Sequence, residues 1–263
     1  MSLYASFDNP LLEIHNGECA AIIAENAAAW GGAFDLAFLD PPFNIGEGYA
    51  DHDDRMPADD FELMIDSSLY HHCNCLRPGG VMVVHVPDSM VYLILNRLPS
   101  ALQRIDWVIW HYRFGQCQRS KFISSKCHAL IFRKGSAPHT FNAEDILVES
   151  ARVGYGDSRI ADSVNGGSRV PFDVWTEFPR LQGNNLERSQ FAAPHPNQLP
   201  ELYLARFIKA YTNPGDYVID GFGGTGTTIT VAGALGRNCV TIEKSASYCE
   251  DIANRVKSGA IRV

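Results

Sequence analysis

Short apolar runs of strand length alternate with runs of helical spacing through most of the chain. LLEIHNGE (11–18) reads as a strand, and CAAIIAENAAAW (19–30) as a helix that the Asn-Gly-Glu cluster before it can start. FDLAFL (34–39) is an apolar strand that stops at Asp40, because Pro41 and Pro42 can neither donate ladder hydrogen bonds nor continue a strand interior. DDFELMIDSSLYHHCNCL (59–76) carries apolar residues at helical intervals, RPGG (77–80) is a turn, VMVVHV (81–86) a buried strand and MVYLILNRL (90–98) a helix. IDWVIWHY (105–112) and HALIFRK (128–134) add two more strands. This alternation predicts an α/β layer architecture.

From about residue 135 to 194 the pattern changes. GYGDSRIADSVNGGSRVPFDVW (154–175) typifies a stretch rich in Gly, Ser, Asn, Arg and Pro with little periodicity, so an irregular, loop-rich insertion is expected there. Periodicity returns with the one-faced helix LPELYLARFIKAY (199–211), the NPGD turn, strand YVID (217–220), a glycine turn, helix TTITVAGALG (227–236), strand NCVTIE (238–243) and helix ASYCEDIANRVK (246–257). The expectation is a single domain over residues 1–263, with a sheet of about seven strands. The two strands that end in Asp40 and in the glycine turn should lie side by side at its centre, where ligands bind.

Composition narrows the class. A chain of 263 residues with 46% hydrophobic side chains can bury one large core. No run has the length a membrane helix needs and the N-terminus lacks a leader pattern, so a soluble, cytoplasmic protein is expected. Seven scattered cysteines indicate neither a disulfide framework nor a zinc ribbon. His71, His72, Cys73 and Cys75 lack a second ligand pair and read as helix packing, so no metal is expected. The net charge of −8 argues against indiscriminate nucleic-acid binding. The charge is nevertheless polarised: residues 47–66 hold eight acids against Arg55, and residues 104–134 hold seven Lys or Arg against Asp106.

Two motifs carry chemistry. In YVIDGFGGTGTT (217–228), Gly221, Gly223 and Gly226 follow an apolar strand and open a helix, so backbone N–H groups and the helix dipole face a ligand. Alone this is a common dinucleotide-like turn. Its late position is unusual, because a dinucleotide fold starts with this unit and here the sheet must come from upstream. In LDPPF (39–43), a carboxylate and the carbonyl of Pro41 stand at a rigid strand end beside the flat face of Phe43. Two acceptors and an aromatic plane suit a planar ring with an exocyclic NH₂.

Together the motifs resemble the S-adenosylmethionine-dependent amino-methyltransferases of DNA, specifically the permuted beta group in which D-P-P-[YF] precedes the glycine-rich motif. The resemblance runs over nearly the whole chain. NGECAAII is similar to the family's opening G-D-C segment with Glu18 for Asp, HPNQLP (195–200) resembles H-P-x-Q-K-P with Leu199 for Lys, and DGFGGTGTT resembles D-P-F-x-G-S-G-T-T with Gly221 for Pro. The middle stretch, from HTFNAEDILVESAR to DVWTEFPRLQG, is similar to the target-recognition region of phage and prophage members.

The resemblance implies a doubly wound, Rossmann-like sandwich with a mixed, mainly parallel sheet and permuted motif order. It implies methyl transfer to adenine N6 in double-stranded DNA, with Asp40, Pro41, Pro42 and Phe43 as the catalytic motif. Glu18, Asp220, Phe222, Gly224, Thr225, Gly226, Thr227, His195, Asn197 and Glu243 fall on the cofactor side, Glu243 toward the ribose hydroxyls. Arg113, Arg119, Lys121 and Lys126 are candidates for phosphate contacts and Arg152, Arg159 and Arg169 for positions near base edges, and the sequence alone does not assign the arginines between the two roles. Dimers are common in such enzymes, so a homodimer is compatible with it. Transfer to cytosine N4 is the nearest rival; Asp40 tilts against it, because the cytosine enzymes more often carry Ser there. A nicotinamide oxidoreductase leaves LDPPF unexplained, and a non-catalytic DNA-binding module leaves the intact motif pair without a purpose.

Overall fold

The computed structural model describes residues 2–48, 54–113, 115, 119, 120, 122–156, 158–160, 167–181, 185, 187, 188 and 195–259. In chain order they form β1 (Leu3–Phe7), β2 (Leu12–Asn16), α1 (Cys19–Glu25), α2 (Ala27–Trp30), β3 (Phe34–Leu39), α3 (Ala58–Cys75), β4 (Leu76–Val86), α4 (Val91–Asn96), β5 (Leu102–His111) and β6 (Lys126–Lys134). Among its described residues the loop-rich stretch holds β7 (Val148–Glu149), α5 (Ala151–Gly154), β8 (Ser168–Arg169), β9 (Val174–Trp175) and two short 3-10 turns. It is followed by α6 (Glu201–Tyr211), β10 (Tyr217–Asp220), α7 (Thr227–Ala234), β11 (Asn238–Glu243) and α8 (Ala246–Ser258).

One mixed sheet runs in the order β1-β2-β11-β10-β3-β4-β6-β5-β9. Neighbours from β2 through β4 are parallel, whereas β6 is antiparallel to both β4 and β5. Among the described residues the sheet thus has nine strands rather than about seven. All seven predicted strands are present; β1 pairs antiparallel with β2 at one edge, and the two-residue β9 joins β5 at the other. RPGG is also not a free turn, since it lies within β4 as a looped-out irregularity between the Phe34–Leu76 and Leu36–Val81 pairs.

Strand alternation builds two cores. Leu36 and Phe38 of β3 face α6, α7 and α8, where Tyr203, Phe207, Ile229 and Ile252 are buried. Ala37 and Leu39 face α1, α3 and α4, against Ile22, Ile65, Leu69 and Ile94. A strand apolar on both faces is what a parallel sheet covered by helices requires. From β3 the chain proceeds outward to β4, and from the adjacent β10 it proceeds the other way to β11. The strand order therefore diverges between β3 and β10, the place where an open α/β sheet binds its ligands. Asp35 ties the two strands at their opposite end, accepting the Tyr217 N–H at 2.9 Å and pairing with Arg77. No helix among the described residues is long and apolar enough to cross a membrane.

Candidate active site

Parallel register sets the site. Asp220 is level with Phe38 and with Thr241, and Glu243 is level with Asn16, so Glu18, Glu243, Asp220 and Asp40 all fall on the carboxyl edge of adjacent strands. Between them lies a cavity of about 280 Å³. Its wall contains Asp40, Pro41, Pro42 and Phe43 on one side and Glu18, Asp220, Phe222, Gly224, Thr225, Thr227, Glu243, His195 and Asn197 on the other. Gly226, also expected on the cofactor side, does not itself line this cavity. It caps α7 with φ +70°, and a Cβ there would meet Ile252 of α8 at 2.7 Å, so this glycine serves helix packing.

Asp40 has a buried Oδ1 with no hydrogen-bond partner among the described residues. Burial, followed by the charge of Asp220, pushes its carboxyl well above the ordinary range. Such an atom is costly unless something donates to it. Asp220 is internally occupied, with Oδ1 accepting the Phe222 N–H at 2.9 Å; burial raises its pKa to about 6, opposed by that bond and by one from Thr228. Glu243 braces the same turn: Oε2 accepts the Gly224 N–H and Oε1 the Ser245 N–H, both at 2.7 Å. Burial brings its pKa to about 7 against those bonds. A further backbone bond, from Lys244, also favours the ionised form, which leaves about one of the carboxylate's roughly four acceptor sites for a ligand.

His195 accepts the Asn197 N–H on Nδ1 at 3.3 Å and packs at a tilt against the Tyr248 ring, while Asn197 Oδ1 accepts from Arg180 at 3.0 Å. Burial, aided by Arg188, lowers the His195 pKa to about 4, so the ring is neutral near pH 7. Glu18 stands at the rim in a 2.8 Å pair with Lys244.

Gly221, the departure from the family's proline, has a local cause. A Cβ on it would collide with the His72 ring and lie 2.5 Å from Cys19 Sγ. His72 is fully buried on α3, donates Nδ1–H to the Ser68 carbonyl at 2.8 Å and stacks near-parallel on Phe222 at 6.5 Å. The metal-like HHCNC cluster thus contributes packing beneath the turn, and no group of three metal-binding side chains occurs among the described residues. Gly221→Ala should cost about 1–3 kcal/mol by overpacking. A thermal midpoint roughly 2–10 °C below wild type would record it, and an unchanged midpoint would contradict the collision.

The acidic stretch after LDPPF divides into separate roles. Asp54 is buried and accepts the N–H groups of Ile45, Gly46 and Glu47, while Asn44 and Met56 exchange two bonds of 2.8 and 3.1 Å. Arg55 and Met56 are thereby held on the cavity wall. Glu62 and Asp66 point elsewhere and share Arg97, and Asp59 and Asp60 occupy the first turn of α3, where the helix dipole favours acids. Asp51 and Asp53 lie outside the described residues.

None of the predicted DNA-contacting cations that are described lines the cavity. Arg113, Arg119, Arg152 and Arg159 are exposed. Lys126 pairs with Asp88 at 3.3 Å, which competes with a phosphate role, and Arg169 stacks on Phe172 at 3.6 Å. Lys121 lies outside the described residues. Sequence reasoning missed Cys19, Asp54, Met56, Met64, Lys244 and Tyr248 as wall residues. Cys19 belongs to the G-D-C-like segment, which does not by itself mark it as a wall residue; the others carry no local motif, and all arrive from elements far apart in the chain.

The chain belongs to the N6/N4 DNA methylase family, whose profile matches residues 34–255. It is 32% identical over 254 residues to the DNA adenine methyltransferase YhdJ of Escherichia coli (strain K12), covering 92% of this chain and 81% of that protein. Among solved structures it is similar to the M1.HpyAVI–SAM complex, with a TM-score of 0.66 and 18% identity over 93% of this chain and 98% of the other. The PvuII DNA methyltransferase, described as cytosine-N4-specific, aligns with a TM-score of 0.68 and 15% identity over 93% and 86% of the two chains. The protein is a DNA methyltransferase.

Proposed function

We propose that the protein transfers a methyl group from S-adenosylmethionine to the exocyclic N6 amino group of adenine in double-stranded DNA. The observation that carries this reading is the unpartnered, buried Oδ1 of Asp40 on the wall that also contains Pro41 and Phe43. An orphaned acceptor beside an aromatic face suits an amino group on a flat ring. The opposite wall fits the cofactor: glycines that allow close approach, Asp220 and Glu243 with acceptor capacity left over, and the flat side of Phe222.

S-adenosylmethionine, when bound, supplies a methyl group on a sulfonium that is already activated for displacement. What remains for the chain is positioning. Asp40 Oδ1 and the Pro41 carbonyl take the two amino hydrogens, drawing the nitrogen toward tetrahedral geometry and its lone pair out of the ring. Phe43 stacks on the base once it has left the duplex. The raised pKa of Asp40 makes its carboxylate a competent acceptor for the proton that the nitrogen sheds after the new bond forms. His195, neutral and held by Asn197, serves the cofactor edge.

Adenine is favoured over cytosine by Asp40 and by the description of the 32%-identical relative as an adenine enzyme. The fold does not choose, because a cytosine-N4 enzyme shares it. The order of LDPPF before the glycine turn supports the permuted, beta-group reading. Residues 135–194, with Arg152, Arg159 and Arg169, are proposed to read the target, and Arg113 and Arg119 to meet phosphates. Incubation with methyl-labelled S-adenosylmethionine and unmethylated DNA should put label into the DNA. Failure of the wild-type protein to label any DNA would overturn the reading.

A further inference from the structure

The connection between β5 and β6 leaves the sheet on the same edge as Asp40. Leu39 pairs with Val84, two residues from the end of β4, and Val86 pairs with His128 at the start of β6. The first residues of this connection stay together as a hairpin. The Tyr112 N–H donates to the Ser125 carbonyl at 2.9 Å, and Gly115 faces Ile123 and the Ser124 carbonyl so closely that a Cβ would lie 2.7 Å from that oxygen. At its root, Tyr112 Oη is 3.8 Å from Cys127 Sγ, and burial, with Asp40 among the nearby charges, raises that thiol to about 12. The hairpin therefore rises beside the Asp40 end of the cavity.

Phe122 projects from this hairpin with 98% of its surface exposed, the most exposed of the large hydrophobic side chains described. Arg113 and Arg119 on the same connection are exposed as well. An aromatic ring this exposed, set among cations at the catalytic edge, has no stabilising role in the packing of the described residues. It has one against a duplex from which a base has been withdrawn: the vacated position is an apolar slot one base thick, flanked by phosphates.

We infer that Phe122 inserts into the duplex beside the target base, fills the gap that extrusion leaves, and so holds the base in the Asp40 cavity. The exposed arginines anchor the hairpin on the flanking phosphates. This rests on the methyltransferase reading above and adds to it a substrate-positioning residue that touches DNA but not the reacting atoms.

The test uses the full chain and, after the methylated sequence has been mapped, two duplexes. One is fully paired; the other has an abasic site opposite the target. Phe122→Ala should lower kcat/KM on the paired duplex by about 10- to 100-fold, the size of one base–aromatic stack, with the KM for S-adenosylmethionine and the melting temperature unchanged. On the abasic duplex, where extrusion breaks no pair, the deficit should shrink to within about threefold. Phe122→Trp should stay close to wild type on both. An alanine variant with wild-type kcat/KM on the paired duplex, or one equally impaired on both, would overturn the inference while wild-type transfer still upheld the parent reading. No transfer by the wild-type protein to either duplex would overturn the parent reading itself.

Discussion

Replacing Asp40 with alanine is expected to reduce kcat for methyl transfer by about 10²–10³-fold, the loss typical of one well-placed polar contact to a changing charge. The dissociation constant for S-adenosylmethionine should stay within about threefold of wild type, because the proposed cofactor wall is braced by Glu243 and Asp220 rather than by Asp40. The same residue sets a pH limb. Asp40 must be ionised to accept the amino hydrogens, and burial holds its pKa up, so transfer rises with pH as that proton leaves. Asp40→Asn should remove this limb. Stability moves oppositely. A folded-state pKa raised above the unfolded value means the native protein keeps a proton the unfolded chain has released, so stability falls as pH rises above the ordinary carboxylate range toward the raised value. Asp40→Asn should therefore melt higher than wild type at pH 8, with the advantage shrinking toward pH 4. A variant that is equally stable at both pH values would contradict the buried, unpaired charge.

Glu243→Ala is expected to weaken S-adenosylmethionine binding by at least about 30-fold. Its two carboxylate oxygens satisfy the N–H groups of Gly224 and Ser245, and each donor left buried without a partner costs about 1–3 kcal/mol. Loss of the proposed ribose contact adds to this. Calorimetric titration of wild type and variant checks it; equal affinities would remove Glu243 from the cofactor site. The wild-type titration should also depend on pH. Glu243 has a pKa raised to about 7 in the free protein, and hydroxyl donors favour its ionised form, so affinity should strengthen from pH 5 to pH 8 with protons released on binding near pH 7. Stability of the free protein from this group runs the other way, and is lost as pH rises from the ordinary glutamate range through about 7.

The central strands and the two halves of the site are legible in sequence for physical reasons. β3, β4, β10 and β11 are buried on both faces, so each shows as an apolar run, and the Pro41-Pro42 pair marks where one ends. β1 is hidden because its side chains are largely exposed and its pairing depends on β2. β9, two residues long, exists only through its register with β5. Within the site, the spacing of glycines locates the turn but not what opposes each one. Gly226 faces Ile252 from α8, and Gly221 faces His72 from α3, contacts that no local pattern encodes. Asp54 was indistinguishable from its acidic neighbours, since its task is to accept backbone N–H groups of a loop earlier in the chain. The pairing of Lys126 with Asp88 is likewise invisible in sequence, because the two are 38 residues apart.

The product nucleoside decides the central claim. Unmethylated DNA treated with the protein and S-adenosylmethionine, digested to nucleosides and resolved by mass spectrometry, should yield N6-methyladenine and no methylated cytosine. N4-methylcytosine as the product, or no methylated nucleoside at all, would contradict the assignment of Asp40 and its cavity to adenine.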